Sequence, residues 1–195
     1  MDQPLAGALR EALGKAWSQN PLLIIFVVLV LILAPLFRLP VVKGWLGEVL
    51  MRIGFILFLP KDTYRVINNV TIPDGRGGTT QIDHVVVSQY GVFVVETKHY
   101  KGWIFGGEHD RQWTQKIHAN HSQMFQNPLR QNYKHTECLR ELLGLGEDQI
   151  KSVVVFTGEC KLKTRDKLPA HVTYPGGCVR RIKSHRKVLL DQETV

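Results

Sequence analysis

The chain has 195 residues, of which 44% are hydrophobic, and a formal net charge of +8. This is enough apolar material for a packed core and excludes general disorder, while the basic excess favours an anionic partner, nucleic acid or acidic lipid. Three cysteines, Cys138, Cys160 and Cys178, with no CxxC spacing, argue against a disulfide framework or a zinc ribbon.

Residues 2–17 place Leu5, Leu9, Leu13 and Trp17 at four-residue steps, an apolar helical stripe in an N-terminal flank spanning 1–20. PLLIIFVVLVLILAPLF, 21–37, then carries no charge. About 17 to 25 such residues suffice to cross a bilayer, so one transmembrane anchor is predicted over 21–38, with Trp17 and Trp45 near the interfaces. A buried core helix is the other reading. Arg10 and Lys15 precede the segment; Arg38, Lys43 and Arg52 follow it. That balance places the following domain on the cytoplasmic side of a single-pass membrane protein.

From residue 44 the pattern is that of a soluble domain. GWLGEVLMRIGFILFL reads as a helix stopped by Pro60, and TYRVINNVTI, 63–72, as a strand. PDGRGG, 73–78, is loop chemistry. TTQIDHVVVS and GVFVVETK are the next two strands, and 99–113 a turn with a short strand. Residues 114–126 are polar and carry no clear period. Asn127 and Pro128 open a helix that Gly144 or Gly146 closes. KSVVVFTG, 151–158, is a strand buried on both faces, HVTYP, 171–175, a further one, and VRRIKSHRKVLL, 179–190, a basic helix or tail. The order helix, three strands, helix, strand predicts an α/β fold around a mixed sheet.

The second and third strands hold an unusual set of charges. If Gln89 and Tyr90 form a two-residue loop, Ser88 faces Gly91 and Asp83 falls opposite Glu96; if the loop is Tyr90 and Gly91, Asp83 faces Lys98. Either register puts Asp83, Glu96 and Lys98 on one face, because side chains alternate with period two. Both faces are otherwise apolar, so the carboxylates stand at one end of a buried hairpin, where desolvation sharpens their repulsion. A hard divalent cation, Mg²⁺ or Mn²⁺, relieves it with oxygen ligands. A structural ion pair from Lys98 to one carboxylate is the competing reading.

The pattern ID, twelve residues, ETK resembles the catalytic hairpin of the PD-(D/E)XK nucleases, with isoleucine in place of the proline. GWLGE at 44–48, TTQIDHVVVSQYGVFVVETKHYKGWIFG at 79–106 and NPLRQN at 127–132 resemble, more specifically, the NERD (nuclease-related) domain, here assigned to 44–160 with a basic C-terminal extension over 161–195. The resemblance implies a restriction-endonuclease-like core of order α-β-β-β-α-β. It also implies metal-binding roles for Asp83, Glu96 and the Thr97 carbonyl. Lys98 would position or activate the attacking water, Glu48 assist the metal, and Gln131 sit near the scissile phosphate. Without it, Glu48 and Arg52 read as an i,i+4 ion pair and Gln131 as an exposed helix residue.

His84 has the opposite parity to Asp83, His99 flanks the acidic end, and His118 and His121 read as polar loop residues. In the tail, Arg180, Arg181, Lys183, Arg186 and Lys187 form a run without acids that can follow a phosphate backbone, lie on anionic lipid or be solvated. The whole reads as a membrane-anchored, metal-dependent nuclease acting on DNA rather than RNA. The alternatives are a non-enzymatic nucleic-acid-binding protein of the same fold and a membrane-surface interaction module.

Overall fold

The computed structural model describes residues 7–8, 11, 14–15, 17–34, 39–118 and 121–191. The chain divides into two units, Met1–Lys43 and Gly44–Val195.

In the first unit, helix α1 covers Pro21–Leu33 and buries none of its residues. Its 13 residues span roughly 20 Å, short of the ~30 Å hydrocarbon core. No helix among the described residues is long and apolar enough to cross a membrane. The transmembrane helix expected over 21–38 is therefore not found there, and residues 35–38 of that stretch lie outside the described residues. Helix α1 ends at Leu33, and its C-cap Ala34 still has right-handed helical geometry, φ −54 and ψ −41. Of the predicted flank helix, Leu5, Leu9 and Leu13 also lie outside the described residues.

Helix α2 (Pro40–Phe58), which belongs to the second unit from Gly44 onward, leads into strands β1 (Arg65–Pro73), β2 (Thr79–Ser88) and β3 (Gly91–His99). A second group follows: β4 (Gly102–Phe105), β5 (Gln112–His118) and β6 (His121–Gln126). Helix α3 (Pro128–Leu143), β7 (Ile150–Thr157), β8 (Cys160–Leu162), β9 (Val172–Thr173) and helix α4 (Pro175–Ser184) complete the chain. The main sheet has order β1-β2-β3-β7-β9. Its first three strands are antiparallel, and β3, β7 and β9 run parallel. The expected α-β-β-β-α-β order and the mixed sheet are both present. Ser88 pairs with Gly91, so the two-residue loop sets the hairpin register.

Parity along β3 divides the core. Phe93 and Val95 pack with Met51 and Phe55 of α2 and Cys178 and Ile182 of α4. Val92 and Val94 face the opposite side, with Leu139 of α3. Each fully buried side chain of this kind contributes about 1.5–3 kcal/mol. Helix α2 approaches the sheet closely at Gly47, where a Cβ would sit 2.7 Å from Thr157 Oγ1 and 2.9 Å from His99 Cβ.

The polar stretch 112–126 forms a hairpin in a second sheet of order β6-β5-β4-β8, a layer the sequence did not foretell. Its anchor is Trp113, buried and stacked on Phe156 with an interplanar angle of 4°. His118 and His121 pair across this hairpin on strands rather than in a loop. Helix α4 begins at Pro175, before the predicted 179, because Cys178 and Ile182 give it an apolar face.

Asn127 ties the loop between β4 and β5 to α3. Its Oδ1 caps the helix through Leu129 N–H (2.9 Å), and its Nδ2 donates to the carbonyls of Glu108 (2.9 Å) and Asp110 (2.7 Å). Asn127→Ala leaves these buried groups unpaired. We expect it to cost about 2–4 kcal/mol, read as a lower urea midpoint at unchanged slope.

Candidate active site

The β2–β3 ladder runs from Ser88↔Gly91 to His84↔Val95 and stops. One step further, the backbone N–H of Thr97 donates to Asp83 Oδ2 at 2.7 Å, so a carboxylate takes the place of a ladder carbonyl. On the far side of Asp83, Asn69 of β1 adopts φ +53, a left-handed conformation that asparagine tolerates better than most residues. The strands change face here: His84 packs edge-on against Phe55 of α2, while Ile82 belongs to the α3 side. Asp83 thus sits, half-buried, at the kink where the hairpin opens.

Glu96 and Lys98 continue the parity of Val92 and Val94 and face α3. Glu96 is only 2% exposed and Lys98 20%. Lys98 Nζ reaches Glu96 Oε1 at 2.7 Å and donates to Gln131 Oε1 at 2.9 Å. Gln131 lies in the first turn of α3, where the Asn127 cap fixes the helix start. One turn later, His135 Nδ1 stands 3.3 Å from Glu96 Oε2. That is an electrostatic contact outside hydrogen-bond geometry, since both atoms are buried without a hydrogen-bond partner. His135 was not singled out from the sequence, although its i+4 spacing from Gln131 on a capped helix was a usable signal.

The electrostatics are those of crowded carboxylates. Burial and the charge of Glu96 push Asp83 up to about 7, against the Thr97 N–H bond. Burial also acts to raise Glu96, but the approach of His135 and Lys98 outweighs it and the net direction is down. Burial raises Glu48 as well, Arg52 opposing and Glu96 adding to the rise. Glu48 and Arg52 share Asn69: oriented for both, its amide donates to Glu48 Oε2 (3.0 Å) and accepts from Arg52 Nη2 (2.6 Å).

The donor set fits a hard divalent ion. All its groups are oxygen, Glu96 Oε2 is buried without a hydrogen-bond partner, and Asp83 carries uncompensated repulsion. Among the described residues no group of three or more His, Cys, Asp or Glu side chains is placed to hold a metal. Two carboxylates with a backbone carbonyl and waters match the habit of Mg²⁺, which is commonly bound through one or two carboxylates. The Thr97 side chain follows the parity of Val95, toward α2.

Other candidates lie elsewhere. His84 is fully buried, donates from Nδ1 to Asn68 Oδ1 (2.7 Å), and is pushed down to about 4 by burial, so it is a neutral core residue. His99 meets Thr157 Oγ1 at 3.0 Å on the α2 side. Cys160 and Cys178 are buried, with thiols raised by burial to about 11 and about 12. Arg180 and Lys183 are exposed on α4, and Arg181 is half-buried there. The chain after α4 runs to the hairpin turn: His185 packs on Phe93, and Leu189 and Leu190 N–H both donate to Gln89 O. Arg186 and Lys187 therefore belong to the end of the hairpin opposite the carboxylates. From Phe93 to Lys98 is five residues of strand, roughly 17 Å.

The sequence model of the family described as nuclease-related domain matches residues 43–157. An uncharacterized protein of Bacillus anthracis is 39% identical over 185 residues, an alignment covering 89% of this chain and 84% of that protein. No solved structure matches.

Proposed function

The chain belongs to the nuclease-related domain (NERD) family, in the general context of the PD-(D/E)XK superfamily, and from that membership we propose that it hydrolyses phosphodiester bonds, in DNA rather than RNA, with Mg²⁺ or Mn²⁺. The observation that carries this reading is the meeting of Glu96, Lys98 and Gln131 at the point where Asp83 ends the hairpin ladder.

Asp83 and Glu96, with the Thr97 carbonyl, would hold the ion, and Glu48 would add negative charge from α2. Bound there, a divalent ion supplies charge stabilisation to the phosphate and a lower pKa to water. Lys98, held by Gln131, orients a water for in-line attack and offsets negative charge growing on the phosphoryl oxygens. Gln131 keeps the ammonium group from collapsing wholly onto Glu96. Arg180, Arg181 and Lys183 on α4 are the charges of the basic run proposed to contact the nucleic-acid backbone, supported by the net charge of +8.

Nicking of supercoiled plasmid by the purified chain tests the proposal. Linear or relaxed product is expected with Mg²⁺ or Mn²⁺ and none with EDTA. The 2.7 Å Lys98–Glu96 pair favours a second reading, a non-catalytic nucleic-acid-binding protein in which that pair is structural. DNA retardation without nicking in either metal would select it.

Attachment to a membrane through residues 21–37 is a separate part of the proposal. Its support is a helix, α1, that buries none of its apolar side chains. Recovery of the chain with membranes after a sodium carbonate wash is expected, and release into the supernatant would refute it.

A further inference from the structure

Helix α2 is apolar on two opposite faces. Met51, Phe55 and Leu59 enter the core. Leu46, Leu50, Ile53 and Leu57 recur at three- and four-residue steps on the other side and are all exposed, Leu57 by 68%. Ile56 and Phe58 extend this surface at the C-terminal end, exposed by 63% and 60%. Soluble monomers rarely leave such a contiguous patch to water. The charged side chains of this part of α2, Glu48 and Arg52, are turned inward to Asn69 and contribute nothing to that face.

The same end borders a mostly apolar cavity of about 260 Å³ whose lining includes Ile56, Leu59 and Tyr64. Its lining includes the basic residues Lys61 and Arg65, both exposed. Tyr64 packs beside Tyr90 of the hairpin turn, ring centroids 6.4 Å apart, and the segment from His185 to Leu190 runs to that same turn, which brings the exposed pair Arg186 and Lys187 to this region. Asp62 is the acid nearby in sequence. The part of the basic run that lies away from the carboxylates thus stands beside exposed apolar side chains.

We propose that the C-terminal end of α2, with Lys61, Arg65 and Arg186 around it, is a docking face for an anionic lipid bilayer. Leu57, Ile56 and Phe58 enter the acyl boundary while the three cations meet headgroup phosphates. The occupant is argued from complementarity. An apolar face rimmed by cations matches the layering of an anionic membrane surface, acyl chains beneath phosphates. It does not rest on the nuclease reading.

Co-sedimentation of the full chain with phosphatidylcholine vesicles, with and without phosphatidylglycerol, tests it in a background where Val27→Asp and Leu31→Asp, both at exposed positions, interrupt the apolar run of 21–37. Two double variants at exposed positions are compared by circular dichroism for folding: Ile56→Glu with Leu57→Glu, and Lys61→Glu with Arg186→Glu. The apolar pair is expected to weaken binding to both vesicle types by about tenfold or more. The charge pair is expected to weaken binding to phosphatidylglycerol vesicles by roughly tenfold, less at high salt, and to leave phosphatidylcholine binding unchanged. Undiminished binding by both variants in that background overturns the proposal. It is equally overturned if the wild type is a dimer that the apolar pair dissociates without loss of vesicle binding. Weaker DNA binding by the charge pair, with vesicle binding intact, assigns the cations to nucleic acid and overturns it as well.

Discussion

Asp83→Asn is expected to abolish cleavage, a loss of roughly 10³-fold or more, while making the metal-free protein more stable. The two effects have opposite signs for one reason. Asp83 is partly buried beside Glu96, and its carboxyl is raised to about 7 by burial first and that neighbour second. A folded-state pKa above the ordinary Asp value means that ionisation works against folding. The penalty is absent below the ordinary Asp range, grows as pH rises, and is complete above about pH 7. An amide of the same shape keeps an oxygen for the Thr97 N–H and removes the charge. In EDTA at pH 8 the variant should melt higher, by on the order of 1 kcal/mol, and the gain should shrink toward pH 4. Adding Mn²⁺ should raise the melting temperature of the wild type and not of the variant. A metal-induced rise of equal size in both would remove Asp83 from the ligand set.

Lys98→Gln is expected to cost about 10²–10³-fold in cleavage with the Mn²⁺-induced rise in melting temperature retained. The ammonium contacts Glu96 Oε1 and Gln131 Oε1, so a glutamine amide keeps one donor for those partners while the charge is lost. Some stability goes with it, because Glu96 is buried and loses the ammonium group 2.7 Å from its Oε1. Gln131→Ala should fall between, by about tenfold, since Lys98 keeps its charge but loses its tether. Loss of the metal response in Lys98→Gln would mean that the lysine acts by fixing Glu96 rather than on the substrate.

Much of this site could be read along the chain because it depends on local rules. A two-residue loop fixes the register of β2 and β3 as far as His84↔Val95, and period-two alternation along β3 then puts Glu96 and Lys98 on the α3 face. Asn127 and Pro128 mark the start of α3, which sets Gln131 within reach. What could not be read depends on contacts between distant segments. The kink at Asn69 and Asp83 shows no sequence period. The second sheet hangs on Trp113 finding Phe156, and its outer strand β6 is mostly exposed and polar. The tail after α4 takes its place from Leu189 and Leu190 binding the Gln89 carbonyl, a contact no motif announces. Over 21–38 the apolar composition reads as a membrane span, while the helix described there, Pro21–Leu33, is too short to cross a bilayer.

Crystals grown with Mn²⁺ and measured for anomalous scattering test the central claim most directly. A single peak about 2.0–2.3 Å from carboxylate oxygens of both Asp83 and Glu96, with Lys98 turned from Glu96 toward the open side, is the predicted result. No peak there, with Lys98 Nζ still 2.7 Å from Glu96 Oε1, would contradict it.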